Sequence, residues 1–220
     1  MRHLITGATS GIGHAVASHL RDRGDDLVLV VRDPARARDF PNAEILVADL
    51  TDAGAIGALD LPGHLDSVVH SAGVVELGSV GELTEEAWRR QVEVNLIAPA
   101  VLTRAALPAL RTGAGTVVFV NSGAGLVAHA AWSAYAASKF GLRALADSLR
   151  AEEPGIRVTS VFPGRTATPM QAEVHRQESA EYEPSRWIDP ATVAAAIIGV
   201  LDLPADATMP EIVLRPGSAR

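Results

Sequence analysis

Short runs of consecutive apolar residues alternate along this chain with longer alanine-rich stretches of helical character. The runs are His3–Thr6, Leu27–Val31, Glu44–Ala48, Ser67–His70, Thr116–Val120, Arg157–Phe162 and Glu211–Leu214. Most are continuous rather than alternating, as parallel strands covered on both faces are. Between them the sequence predicts helices over Ile12–Arg23, Glu85–Leu110, Trp132–Glu152 and Pro190–Leu201, with a shorter one over Asp52–Leu59. Strand–helix alternation of this kind predicts an α/β fold with a Rossmann-type, doubly wound parallel sheet. No internal repeat, low-complexity tract or shift in composition divides residues 1–220, so one domain is expected. The polar stretch Gln171–Arg186 interrupts the pattern and reads as a mobile insertion over a site, within a loop of about 165–190.

Composition narrows the possibilities. A chain of 220 residues, 48% hydrophobic and 20% charged, suits a soluble domain with a large core. A formal net charge of -7 with scattered arginines argues against a nucleic-acid partner. There is no cysteine, which excludes disulfides, thiolate catalysis and cysteine-ligated zinc, and fits a reducing cytoplasm. The opening MRHLITGATSG enters a strand at once, so no signal peptide is expected. The longest apolar stretches read as too short to cross a bilayer, so no membrane partner is expected. His3, His14, His19, His64, His129 and His175 lack ligand spacing, and no metal site is predicted.

Two patterns suggest chemistry. Thr6-Gly7-Ala8-Thr9-Ser10-Gly11-Ile12-Gly13 lies between the first strand and the first helix. Glycines there allow a tight turn and close backbone approach, and the helix start offers N–H groups to a pyrophosphate. The spacing is Gly-x-x-x-Gly-x-Gly, so an ordinary strand–helix turn is the competing reading. Farther on, Lys139 is the only lysine in the chain and follows Tyr135 by four residues. On a helix these share a face, where an ammonium lowers the pKa of a neighbouring phenol.

Taken together, TGATSGIG, Asn95 in VNL, Ser122 thirteen residues before Tyr135, YAASK, and Pro163-Gly164 with Thr168 four residues on resemble the short-chain dehydrogenase/reductase family. The resemblance spans nearly the whole chain, which is somewhat shorter than is usual for that family. It implies a single dinucleotide-binding catalytic domain that transfers hydride between a nicotinamide and a carbonyl or alcohol substrate. Tyr135 would be the acid or base, and Lys139 would lower its pKa and bond the nicotinamide ribose. Ser122 would hold the substrate oxygen. Asn95 would fix a helix irregularity and a water in the proton path. Cofactor contacts would come from Gly7, Ser10, Gly11, Ile12 and Gly13, from Asp49 and Leu50 at the adenine, and from Ala72 and Gly73. Asn95, Tyr135, Lys139, Pro163, Gly164 and Thr168 would complete them, with Thr166 as a nearby substitute for Thr168.

Val31 stands where NAD-preferring relatives place an acid, and Arg32 follows it. A guanidinium pairs with a 2′-phosphate, so NADP(H) is favoured, with NAD(H) as the alternative. Asp33 is better placed to cap a turn into Pro34, and Asp49 could also cap the following helix. His70-Ser71 replaces the family's usual two asparagines, which puts the bracing of the central strand in question; His70 reads as a packed core histidine. Tyr182 and Trp187 are candidates to line the substrate pocket. A non-catalytic NADP(H)-binding sensor is the alternative function. A reductase of activated C=C bonds or of acyl-carrier-bound ketones is another, with Arg176 and Arg186 as docking cations. Apolar residues on more than one face of the two long helices, including Leu142, Leu145 and Leu149, suggest a homodimer or homotetramer.

Overall fold

The structure is a computed structural model and describes residues 1–217. Seven strands form one sheet: β1 Arg2–Thr6, β2 Asp26–Val31, β3 Glu44–Val47, β4 Ser67–His70, β5 Thr116–Val120, β6 Arg157–Pro163 and β7 Glu211–Leu214. All pair in parallel, in the order β3-β2-β1-β4-β5-β6-β7. The helices are α1 Gly11–Arg23, α2 Ala53–Gly57, α3 Glu85–Val92, α4 Ala98–Arg111, α5 Ser133–Glu152, α6 Pro169–Gln177 and α7 Pro190–Leu201.

The continuous apolar runs have a simple cause. Successive strand residues point to opposite faces, and both faces are covered. Ile5, Leu29, Val118 and Val161 join Val16, Leu20 and Ile197 of α1 and α7 in one core layer. Their neighbours Leu4, Val28, Phe119 and Val158 join Leu102, Leu110 and Leu142 of α4 and α5 in the other. With both faces of the inner strands covered, the alternation disappears there, while the edge strands β3 and β7 keep exposed positions such as Val47 and Val213. The order reverses between β1 and β4, so a crevice opens beyond their carboxyl ends, the usual ligand position in such sheets.

Several expectations change. The long helix predicted over Glu85–Leu110 is interrupted by a π-helical turn, Glu93–Ile97, that contains Asn95. Taken whole, Glu85–Arg111 is 27 residues long with a window of mean hydropathy 1.2, so one helix is long and apolar enough to cross a membrane. Here 44% of that window is buried within the protein, much of it facing the sheet. Leu142 and Leu149 are core residues, and Leu145 packs against the same layer, so they are not surplus surface. The polar stretch after β6 is not an irregular insertion. Its first part belongs to α6, whose Thr168 accepts a hydrogen bond from the Gln171 N–H and whose Gln171, Val174 and His175 are buried. Asp33 caps the turn at Pro34–Ala37 by accepting from the Ala35 N–H. The cap of α2 is Asp52, not Asp49.

Candidate active site

The glycine turn between β1 and α1 is shaped by contacts that leave no room for side chains. A Cβ on Gly7 would lie 2.7 Å from the Ala72 nitrogen, and one on Gly13 would lie 2.4 Å from the Gly7 carbonyl oxygen. The first turn of α1 can therefore pack directly on the loop, and the ends of β1 and β4 meet backbone to backbone. Thr6 braces that meeting, its Oγ1 accepting from the Ser71 and Ala72 N–H groups at 3.2 Å each. His70 lies below, 2.8 Å from Thr103 Oγ1 through Nε2 and stacked on Phe119 with ring centroids 5.0 Å apart. The bracing expected from asparagines is thus supplied by Thr6, His70 and Thr103.

A cavity of about 780 Å³ lies above this turn. Gly7, Gly11 and Ile12 line one side; Ser122, Tyr135 and Lys139 line another. Tyr135 (6% exposed) and Lys139 (4% exposed) are one turn apart on α5, whose first residues follow the loop after β5. Lys139 Nζ donates to the Val120 carbonyl at 3.0 Å and sits 5.8 Å from the centre of the Tyr135 ring. The Ser122 Oγ caps the short turn Gly123–Gly125 by accepting from the Ala124 N–H. The serine thus holds a turn and lines the cavity as well.

Asn95 (1% exposed) has its side chain fully engaged. Oδ1 accepts from the Val74 N–H, and Nδ2 donates to the Val74 carbonyl and to Ser138 Oγ. Ser138 Oγ in turn donates to the Tyr135 carbonyl at 2.7 Å. The π-turn therefore ties the chain after β4 to the helix that carries Tyr135. Asn95 acts here through its neighbours and is a positioning residue. Asn121, which the sequence did not single out, has a parallel role. Its Nδ2 donates to the Lys139 carbonyl at 3.1 Å, and its Oδ1 accepts from the Ser122 N–H at 2.9 Å. Its signal was its place directly before Ser122.

The charges differ from expectation. Burial pushes the Tyr135 phenol above its ordinary pKa, with hydrogen bonding to Ser122 pulling the other way. Burial also lowers the Lys139 ammonium to about 8. Desolvation penalises whichever form is charged, so the two shift in opposite directions. Burial, not the ammonium, is the largest cause of the phenol's shift in this arrangement, and the Lys139 Nζ is held on the Val120 carbonyl.

A second cavity, about 290 Å³, adjoins the first at Gly7, Ala72 and Gly73 and runs past the ends of β2 and β3. It is lined by Val31, Arg32, Asp49, Leu50 and, unforeseen, by Arg36 and Arg90. None of these three arginines makes an ion pair among the described residues. Asp49 is held below the usual carboxylate range first by the Thr51 N–H and hydroxyl, with Arg32 and Arg90 adding to the effect. Pro163, Gly164, Thr166 and Thr168 line the larger cavity from beyond β6. Ser10 lines it as well and makes no side-chain cap on α1. Tyr182 and Trp187 do not line it. Both rings pack on His175, with centroids 5.2 and 5.3 Å away, because α6 lies between them and the cleft. Trp132 and His129 take that place at the wall. Arg176 is paired with Glu173, and Arg186 lies 3.8 Å from Glu183, so neither is a free docking cation.

Residues 2–179 match the family described as short chain dehydrogenase. The chain belongs to that family. Among relatives, the sepiapterin reductase of Chlorobaculum tepidum is 30% identical over 243 residues, covering 99% of this chain and 98% of its own. The trans-4-hydroxycyclohexanecarboxylate dehydrogenase of Sinomonas cyclohexanicum is 34% identical over 194 residues, 79% of this chain and 75% of its own. The alcohol dehydrogenase of the archaeon Thermococcus sibiricus, solved in complex with 5-hydroxy-NADP, superposes with a TM-score of 0.87 at 26% identity, covering 100% of this chain and 97% of that one. As a short-chain dehydrogenase the chain is an oxidoreductase of CH–OH and C=O groups in a family that uses NAD(P). The close-packed Gly7–Gly13 turn, opening into two joined cavities, has the form such a dinucleotide requires.

Proposed function

We propose that this protein is an NADP(H)-dependent carbonyl reductase or alcohol dehydrogenase in which Tyr135 exchanges the substrate proton. The observation that carries the reading is the convergence of Tyr135, Ser122 and Lys139 on the same cavity as the Gly7–Gly13 turn. When bound, the nicotinamide supplies or accepts the hydride. The residues of the chain do the rest. Gly7, Ser10, Gly11, Ile12 and Gly13 hold the pyrophosphate, with Ala72, Gly73, Pro163, Gly164 and Thr168 along the cofactor's length. Lys139 bonds the nicotinamide ribose from the floor of the cleft. Ser122 positions the substrate oxygen beside the Tyr135 hydroxyl. Negative charge grows on that oxygen as the carbonyl is reduced, and a donor already in place lowers the barrier. A buried phenol with a raised pKa is protonated at neutral pH, which is the form that reduction requires.

The phosphate-bearing cofactor is supported by charge. Asp49 and Leu50 flank the adenine site, while Arg32, Arg36 and Arg90 surround it without carboxylate partners of their own. Asp33, the nearest acid to the strand end, also lines this cavity, but its carboxylate accepts from the Ala35 N–H and is outnumbered by the three arginines. The NADP of the Thermococcus sibiricus complex agrees with this choice. The same reading takes residues 1–220 as one catalytic unit resident in the cytoplasm and assembled as a homodimer or homotetramer. Phe140 on α5, 41% exposed, is the apolar side chain available for pairing. A scattering mass equal to one chain would count against assembly.

The test is NADPH oxidation over a panel of aldehydes and ketones, with Tyr135→Phe beside the wild type. The variant should bind NADPH normally and lose roughly 10²–10⁴-fold in turnover, the usual weight of a general acid. Normal turnover by Tyr135→Phe would refute the assignment. Tight NADPH binding with no turnover of any substrate by the wild type would favour the sensor instead.

A further inference from the structure

We propose that the substrate carries a carboxylate and that Arg215 binds it, an inference that rests on the carbonyl–alcohol reading above and names its substrate class. Among the described residues, no aspartate or glutamate lines the larger cavity, although the chain as a whole carries a net charge of -7. Three permanent or near-permanent cations do line it: Lys139, Arg165 and Arg215. A concave site walled by one sign of charge concentrates ligands of the other.

Two of the three cations are already committed. Lys139 is buried on the Val120 carbonyl beside the phenol. Arg165 is paired with Glu178 through two bonds of 2.8 and 2.7 Å. Arg215 is different. Its Nη1 donates to the carbonyls of Phe162 at 3.1 Å and Leu214 at 3.0 Å, and it has no carboxylate partner among the described residues. Anchoring one nitrogen on two carbonyls fixes the plane of the guanidinium. The Nε–H and Nη2–H edge then remains as a pair of parallel donors, the geometry that grips a carboxylate by both oxygens.

Position assigns this cation to substrate rather than cofactor. The guanidinium lies 3.7–3.8 Å from where a Cβ on Gly123 would stand, and Gly123 directly follows Ser122. The three arginines suited to the cofactor phosphate line the other cavity, past β2 and β3. Val75, Val127, Trp132, Met170 and Val174 add apolar surface to the same lining. The matching ligand has a carbonyl or hydroxyl at Tyr135, a compact apolar body, and a carboxylate at Arg215.

The probes are 4-acetylbenzoate, 3-acetylbenzoate and their methyl esters, reduced by NADPH with wild type, Arg215→Met and Arg215→Lys. The wild type should favour an acid over its ester at least tenfold in kcat/KM, mainly through KM, and the KM for the acid should rise with salt. Arg215→Met should bring the acid down to the level of the ester, leaving the ester's kcat/KM and the NADPH Kd unchanged; Arg215→Lys should keep part of the preference. Equal acid and ester rates in the wild type overturn the proposal while leaving the oxidoreductase reading intact. So does an equal loss on both compounds in Arg215→Met, which is a structural effect, or a loss of NADPH affinity. If no probe is reduced, calorimetric binding of the two acids to the NADPH complex decides. Binding by wild type that is weakened tenfold in Arg215→Met supports the contact, and binding that is absent or unchanged overturns it.

Discussion

Replacing His70 by asparagine should remove much of the protein's sensitivity to mild acid. His70 is 2% exposed, between Thr103 and the Phe119 ring, and burial lowers its pKa from 6.5 to about 3. Its Nδ1 has no hydrogen-bond partner. Protonation would therefore create a buried N–H with no acceptor and a charge far from water. Because the folded-state pKa is depressed, the unfolded chain takes up this proton first. The stability is fully present above pH 6.5 and is lost progressively as pH falls towards 3. With these two pKa values the site costs only about 0.1 kcal/mol at pH 7.5, about 1.4 at pH 5.5 and about 2.7 at pH 4.5. His3, whose pKa burial also lowers, is present in both proteins and so cancels from the comparison. The assay is urea unfolding of wild type and His70→Asn at the three pH values. The variant should start less stable at pH 7.5, having lost the stack on Phe119. The gap between the two should then narrow by about 1.4 kcal/mol at pH 5.5. Parallel curves across that range would refute the reasoning.

Leu102→Ala on α4, fully buried against the sheet, should cost about 2–5 kcal/mol in urea unfolding without changing the relative preference for NADPH. Gly13→Ala would drive a methyl onto the Gly7 carbonyl, so both the thermal unfolding temperature and NADPH affinity by fluorescence titration should fall, the latter at least tenfold. Arg32→Asp should shift the NADPH-to-NADH ratio of kcat/KM towards NADH by one or more decades, and an unchanged ratio would place the phosphate elsewhere. Carbonyl reduction should decline as pH rises through about 8, where Lys139 loses its charge, and Lys139→Met should lack that step in its pH profile.

Local order was legible because it depends on near neighbours. The continuous apolar runs mark the seven parallel strands, and all seven begin and end within one residue of the expected positions. Asp33 could be read as a turn cap because its partner is two residues away. The glycine turn and the Tyr135–Lys139 pair were visible because a tight turn and a helix repeat impose short, fixed spacings. What depends on distant partners was not visible. The role of Asn95 rests on Val74 and Ser138, and that of Asn121 on Lys139. The direction of the Tyr135 shift depends on how much water the folded chain excludes from α5, which no spacing encodes. Tyr182 and Trp187 were misplaced because α6 separates them from the cleft. Arg36, Arg90 and Arg215 look like any other arginine in one dimension. Only the folded chain decides which guanidinium meets a carboxylate and which remains for a ligand, because Coulomb pairing acts through space over a few ångströms and not along the sequence.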